Sequence, residues 1–229
     1  MSPRPSSARP TAVVYFEGNF GQLDGKTANG LVRHSEQFEI VSVIDSRLAG
    51  DDTGLVLDGV RNGVLVSRNL TDAITRIGRA PDTFIYGVAP ASGMLSPNER
   101  AVVLDAIALG MNIVSGLHEF LNDDAEFVAA AMAADVTLRD VRRPRPKDQL
   151  RVFSGRIDTV TCPRIAVLGT DGAIGKRTTA TLVTNALRTR GIRAVMVGTG
   201  QTSLIQGAGY GVALDAIAPQ FCSGEMESA

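Results

Sequence analysis

The stretch "RIAVLGTDGAIGKRTTATLVTNALRTRG" (164–191) sets an apolar run, a glycine-rich turn and a helical period in immediate succession. That order is what a phosphate cradle requires. A phosphate needs several donors converging on one point together with positive charge. A glycine-rich turn opening a helix supplies both, as unpaired backbone N–H groups and the helix dipole. Gly172 and Gly175 let the backbone wrap closely, with Thr170 and Ala173 completing the turn. Lys176 extends back over it, and Thr178 and Thr179 offer hydroxyls from the first helical turn.

Two departures from G-x-x-x-x-G-K-[ST] shape the expected chemistry. Thr170 stands where the pattern has its first glycine, and Gly169 lies one residue further back. Arg177 follows the lysine where the pattern has Ser or Thr, and a guanidinium cannot coordinate Mg²⁺. Thr178 is displaced by about 100° around the helix and is an imperfect substitute. Arg177 can instead neutralise a phosphate by paired hydrogen bonds. Phosphate binding is therefore expected, and ordinary Mg·ATP hydrolysis is not favoured. Asp171, the carboxylate inside the turn, has two readings: a base or amine-positioning group, or a hydrogen-bonding partner of the turn backbone.

Before this unit, from Thr11, short β-branched runs alternate with helical periods. "TAVVYF" (11–16), "FEIVSVID" (38–45), "TFIYGVA" (83–89), "MNIVSG" (111–116) and "VTLRDV" (136–141) read as strands, and "GLVLDG" and "GVLVS" as short strand candidates within 46–81. Helices are expected near 27–35 and 70–79, after Ser96, and from about Asn122. Ser96, Pro97 and Glu99 form a capping-box signature, and Gly110 is placed to end that helix. Strand–helix alternation predicts a parallel sheet covered on both faces. The expected fold is thus α/β: a Rossmann-like domain over 11–141, after a disordered tail at 1–10, then a basic linker at 142–150 and a P-loop α/β domain at 151–229.

The linker run "RDVRRPRPKDQLR" reads either as a solvated connector or as arginines reaching over the phosphate site. After it, "GRIDTV" (155–160), "RIAVLGT" (164–170) and "RAVMVG" (193–198) are predicted strands. The helix from Lys176 to Arg190 is expected to bury Ala180, Leu182, Val183, Ala186 and Leu187. "GTGQT" (198–202) follows a strand adjacent to the loop strand, so Gly200, Gln201 and Thr202 either border the same crevice or form a plain polar turn.

Signals elsewhere are weaker. The segment after the first strand, "EGNFGQLDGK", is not G-x-G-x-x-G, and Asp45 at the end of the second strand is the only ribose-binding cue. Lys26 and Arg33 share a helix face, a carboxylate-binding pair or a solvated one. His118, beside Glu119, reads as a capping or packing residue. Net charge is −1, with 21% charged and 44% hydrophobic residues, so neither nucleic acid nor a membrane is an expected partner. Two cysteines and two histidines provide no disulfide scaffold and no metal-ligand spacing, and no metal site is predicted. The default location is cytoplasmic.

"GTDGAIGKRTT" resembles the G-T-D-x-x-x-G-K loop of dethiobiotin synthetase-type P-loop enzymes. Together, "GTDGAIGKRTTA", "GTGQTSLIQGAGYGVALDAI" and "SGLHEFLNDDAEF" resemble the DgcN-like family, long a domain of unknown function. The resemblance covers nearly the whole chain from residue 11 and implies an N-terminal Rossmann-like domain followed by a C-terminal P-loop domain. Its best-described branch implies N-acetyl transfer to D-glutamate beside an epimerase-like partner. Members continue past the end of this chain, so the P-loop domain is expected to be incomplete, to expose a sheet edge and apolar faces, and to associate as a homo-oligomer. Three functions follow as expectations. In the first, acetyl-CoA sits on the loop and a small amino acid or carboxylate substrate receives the acyl group, with Asp171 and Lys176 catalytic. The second is an ATP-dependent ligase or kinase, needing Mg²⁺. The third is a non-enzymatic nucleotide-binding partner of an epimerase.

Overall fold

The computed structural model describes residues 9–22, 25–88, 93–171 and 174–229. Residues 1–8 of the expected tail and the loop residues Gly172 and Ala173 lie outside them. Arg9 and Pro10 are tied down: the Arg9 guanidinium donates to the Ser35 carbonyl at 2.7 Å, and the Glu39 N–H donates to the Pro10 carbonyl at 3.0 Å.

The sheet is parallel throughout, in the order β3-β2-β1-β4-β5-β6. Its strands are β1 (Thr11–Tyr15), β2 (Glu39–Ile44), β3 (Leu65–Ser67), β4 (Thr83–Tyr86), β5 (Asn112–Ser115) and β6 (Leu138–Asp140). The β1–β4 neighbours mark the point where strand order reverses, the Rossmann arrangement. Between the strands run α1 (Lys26–His34), α2 (Thr53–Asp58), α3 (Leu70–Ile77), α4 (Pro97–Ala108) and α5 (Ala125–Ala134). Central strands are buried on both faces, hence their continuous apolar runs. One face packs Val13, Phe84 and Ile113 with Ala73, Val103, Ile107 and Phe127. The other packs Val14, Val43, Ile85 and Val114 with Ala28, Leu31 and Phe38.

α4 begins with the full capping box. The Ser96 hydroxyl accepts from the Glu99 N–H, and the Glu99 carboxylate accepts from the Ser96 N–H. Glu99 also accepts the Tyr86 hydroxyl at 2.7 Å, fixing the helix to the central strand. Residues 54–59, expected as a strand, are instead helical in α2. The cause is Asp52: its carboxylate accepts from the N–H groups of Gly54, Leu55, Asn62 and Gly63, capping a helix and closing the following loop at once. Gly54 is what lets that loop close, since a Cβ there would run into the Val60 carbonyl and lie 2.8 Å from the Asn62 nitrogen.

The second half contributes α6 (Lys176–Thr189), the two-residue strands β7 (Val197–Gly198) and β8 (Tyr210–Gly211), α7 (Gln201–Gln206) and α8 (Pro219–Ser228). Three expected strands are corrected here. Residues 156–159 form a 3₁₀ turn, held where the Glu227 carboxylate of α8 accepts from the N–H groups of Ser154 and Ile157. Residues 164–168 are not in a strand, and of 193–198 only Val197–Gly198 pairs, with β8. A strand exists by backbone pairing, and 164–168 has no partner strand among the described residues; Leu168 is 85% exposed. With no sheet beneath it, α6 turns Leu182 and Val183 outward and buries Thr181 and Thr184.

What joins the halves is α7. Its Ile205 is fully buried in the same core as Val14, Leu31, Ile85 and Val114, so a helix from the second half covers part of the N-terminal sheet. The linker adds a staple. Arg142 is only 6% exposed; it donates to the Gly116 carbonyl at 2.6 Å, beyond the end of β5, and pairs with Asp215 of the second half. It is therefore neither a solvated connector residue nor a phosphate ligand. Its neighbour Arg143 stacks over Phe120, 4.7 Å from the ring centroid.

Two outcomes are expected. Gly54→Ala overpacks backbone that cannot yield and lowers stability by about 1–3 kcal/mol in urea unfolding; an unchanged midpoint contradicts the α2 account. Arg142→Met leaves the half-buried Gly116 carbonyl without its donor and Asp215 without its cation, and costs about 1–3 kcal/mol. Amide exchange should then speed up in 197–217 before it does in β1 and β4, whereas uniform acceleration would mean that Arg142 does not staple the halves.

Candidate functional site

α6 starts at a glycine that must be one. Gly175 sits at φ 93°, in the left-handed region where side chains are strained. The first intrahelical bond runs from the Thr179 N–H to the Gly175 carbonyl, which leaves the N–H groups of Lys176, Arg177 and Thr178 ahead of the helical ladder. The Lys176 side chain folds back across the turn, its ammonium donating to the Asp171 carbonyl. That path explains Gly169, where a Cβ would lie 2.5 Å from Ile174 Cδ1 and 3.0 Å from Lys176 Cδ. The lysine thus rests on a loop carbonyl, and the amides that precede the ladder belong to the same turn. Thr170, Asp171 and Thr179 are exposed, and Lys176 and Thr178 are half-buried.

Arg177 points elsewhere. Its Nη2 donates to the Lys26 carbonyl of α1 at 3.1 Å, and the guanidinium lies over Gly30, where a Cβ would stand 2.5 Å from Nη1. Nη1 is sealed from solvent without a hydrogen-bond partner. Burial pulls the guanidinium down to about 10, still charged at neutral pH. His34, further along α1, is lowered by its own burial and then by the nearby positive charges of Arg177 and Arg33.

Of the second glycine-rich segment, Thr202 is buried and shares a hydrogen bond with the Thr27 hydroxyl at 2.9 Å. Gln201 packs against Gly116, and Gly200 precedes α7. The Gln206 side-chain amide donates to the Gly30 carbonyl at 2.6 Å. These residues face α1 and β5, forming a polar seam between the halves. Sequence reasoning missed Gln206 and Gly30 because each reads locally as an ordinary helix residue.

In the N-terminal half, Asp45 is buried and accepts from the N–H groups of Phe20 and Arg47, both at 3.0 Å. Its carboxylate closes the loop after β1. Arg33 is paired with Asp58 at 2.6 Å, while Lys26 on the same helix is exposed. His118 is exposed, and Glu119 accepts from the Leu95 N–H at 2.9 Å. Tyr15 stacks on Tyr86 at 5.5 Å, and burial, followed by Glu99, pushes its hydroxyl up to about 12. Among the described residues, no group of three or more His, Cys, Asp or Glu could hold a metal ion, and no helix is long and apolar enough to cross a membrane.

Comparison with known proteins agrees with this architecture. Residues 46–144 match a Rossmann-like domain of unknown function, DUF1611_N, and residues 151–229 match a P-loop domain of unknown function, DUF1611_C. A D-glutamate N-acetyltransferase of Tritonibacter scottomollicae is 34% identical over 145 residues, 63% of this chain and 42% of that protein. Another of that name from a Pseudoalteromonas species is 32% identical over 146 residues, 64% of this chain and 42% of that protein. A crystal structure of a DUF1611 family protein from Anabaena variabilis superposes with a TM-score of 0.82 at 30% identity, over 95% of this chain and 61% of that one. The chain spans about two-fifths of the length of the curated relatives it matches. With a Rossmann-like sheet, a P-loop helix and both domain matches in the same order, the chain belongs to the DUF1611 family.

Proposed function

We propose that the chain is the phosphate-ligand-binding part of an N-acyltransferase. In this reading the Gly169–Lys176 turn takes the phosphates of acetyl-CoA, and an amino acid such as D-glutamate receives the acetyl group. Two relatives carrying the name D-glutamate N-acetyltransferase support the reaction class. The observation that carries the reading is the fate of the residue after the lysine. Arg177, in the place of a metal-binding hydroxyl, is docked on α1. Charge on a phosphate is then neutralised by Lys176 and by the amides that precede the α6 ladder, with no side chain of the usual kind offered to Mg²⁺. An acyl-CoA needs its phosphates held, not cleaved, and this donor set fits that task.

The transfer itself balances simply. The amine nitrogen attacks the thioester carbonyl carbon, the C–S bond breaks with its electron pair leaving as thiolate, and the proton shed by nitrogen passes to a base. Asp171, on the exposed part of the turn, is assigned that role, and Lys176 that of neutralising phosphate charge. Thr170, Gly172, Ala173, Gly175, Thr178 and Thr179 complete the cradle. An ATP-dependent ligase or kinase would use the same turn but would need Mg²⁺, with Thr178 as the nearest hydroxyl. A cytoplasmic homo-oligomer working beside an epimerase-like enzyme belongs to the same proposal.

Thermal-shift measurements with CoA, acetyl-CoA, ATP and Mg·ATP separate the readings. CoA and acetyl-CoA should stabilise the chain more than ATP, with no gain from Mg²⁺; a Mg²⁺-dependent preference for ATP would overturn the acyltransferase reading. Lys176→Ala should weaken CoA binding at least tenfold, on the order of 1.4 kcal/mol, and an unchanged affinity would remove Lys176 from the site.

A further inference from the structure

Along α1, between α2 and the first turn of α6, lies a groove of about 390 Å³, lined by Lys26, Asn29, Gly30, Arg33, Arg177 and Thr178 among others. Its volume falls within the range of small-ligand sites, roughly 300–1,000 Å³. Three of the lining residues on opposite sides are cations, and no carboxylate among the described residues lines it. Arg33 is neutralised by Asp58 at 2.6 Å. Lys26 and Arg177 have no ion-pair partner among the described residues. Arg177 uses one of its donors, on a backbone carbonyl, while its Nη1 is buried without an acceptor.

Two uncompensated positive charges held beside one groove repel each other, and a buried guanidinium donor without a partner costs free energy. A structural role alone is satisfied by the aliphatic stem of Arg177 and one carbonyl. It does not account for Lys26 on the same groove. Gly30 opens the space in which the guanidinium lies, since any Cβ there would collide with it. An anion in the groove would supply the counter-charge that Lys26 and the Arg177 guanidinium lack among the described residues.

We propose that this groove is a second anion site, separate from the Gly169–Lys176 turn. In it Lys26 and Arg177 clasp the carboxylate or phosphate of a small ligand. Because its residues come from α1 and α6, the site exists only while the two halves are docked. The inference stands whether or not the turn holds an acyl-CoA.

Isothermal titration of the chain with glutarate and with inorganic phosphate at low ionic strength tests it, using Lys26→Gln, Lys26→Glu and Lys176→Ala. Lys26 is exposed, so its replacement leaves the packing of α1 intact, which circular dichroism checks. With glutarate in the parent, and with phosphate in the Lys176→Ala background where the turn no longer competes, saturable binding should weaken at least about tenfold in Lys26→Gln and vanish in Lys26→Glu, and glutarate binding should stay within about twofold of the parent in Lys176→Ala. Loss for glutarate identifies a carboxylate site and loss for phosphate alone a phosphate site, and either supports the inference. Binding unaffected by the Lys26 variants, binding lost as fully in Lys176→Ala, or no saturable binding of either probe overturns it. CoA titrated in parallel against Lys176→Ala reports separately on the turn, so failure of one assignment is distinguishable from failure of the other.

Discussion

Ile205 is the constraint on which the arrangement rests. It sits on a six-residue helix in the second half, yet it is fully buried among the strands and first helix of the N-terminal sheet. Burying one isoleucine removes enough apolar surface from water to contribute about 1.5–3 kcal/mol. That alone does not hold two domains together, but it fixes where α7 lies. The Thr27–Thr202 and Gln206–Gly30 hydrogen bonds then fall into place around it, satisfying polar groups that the contact buries. The seam is polar with a single apolar peg, so its register is specific even though its apolar area is small.

With α7 fixed on α1, α6 has little freedom. Its first turn meets the first turn of α1, and the residue after the loop lysine meets Gly30 instead of a metal. The glycine-rich turn and the docking of the halves are thereby linked through adjacent residues. Lys176 reaches back over the turn while Arg177, about 100° further round the helix, reaches across to the neighbouring domain.

Much of the sheet was legible because its strands are buried on both faces and therefore read as continuous β-branched runs. α4 was legible from Ser96, Pro97 and Glu99 alone, since a capping box is a local arrangement of side chain and backbone. The turn around Gly175 and Lys176 was legible for the same reason. What was not legible depends on contacts distant in sequence. "GLVLDG" has the short apolar run of a strand, but Asp52 caps it as a helix through the N–H groups of Gly54 and Leu55. "RIAVLGT" has strand composition, yet composition does not supply a pairing partner. Arg142 looked like one charge among five in a solvated run, and its burial follows from Gly116 and Asp215, which no local pattern connects to it. Ile205 lies just past "GTGQT", in a stretch for which the sequence offered no element. Arg177 was recognised as unusual, but its direction toward α1 required the fold.

The docking of α7 on α1 can be measured directly by disulfide trapping. The Thr27 and Thr202 hydroxyl oxygens are 2.9 Å apart, so cysteines at these two positions bring their sulfurs within bonding reach. With Cys162 and Cys222 replaced by serine, Thr27→Cys combined with Thr202→Cys should oxidise to a single intramolecular cross-link under mild conditions in the folded chain, without loss of native circular dichroism. A folded chain that resists cross-linking, or that forms it only after partial unfolding, would contradict the account.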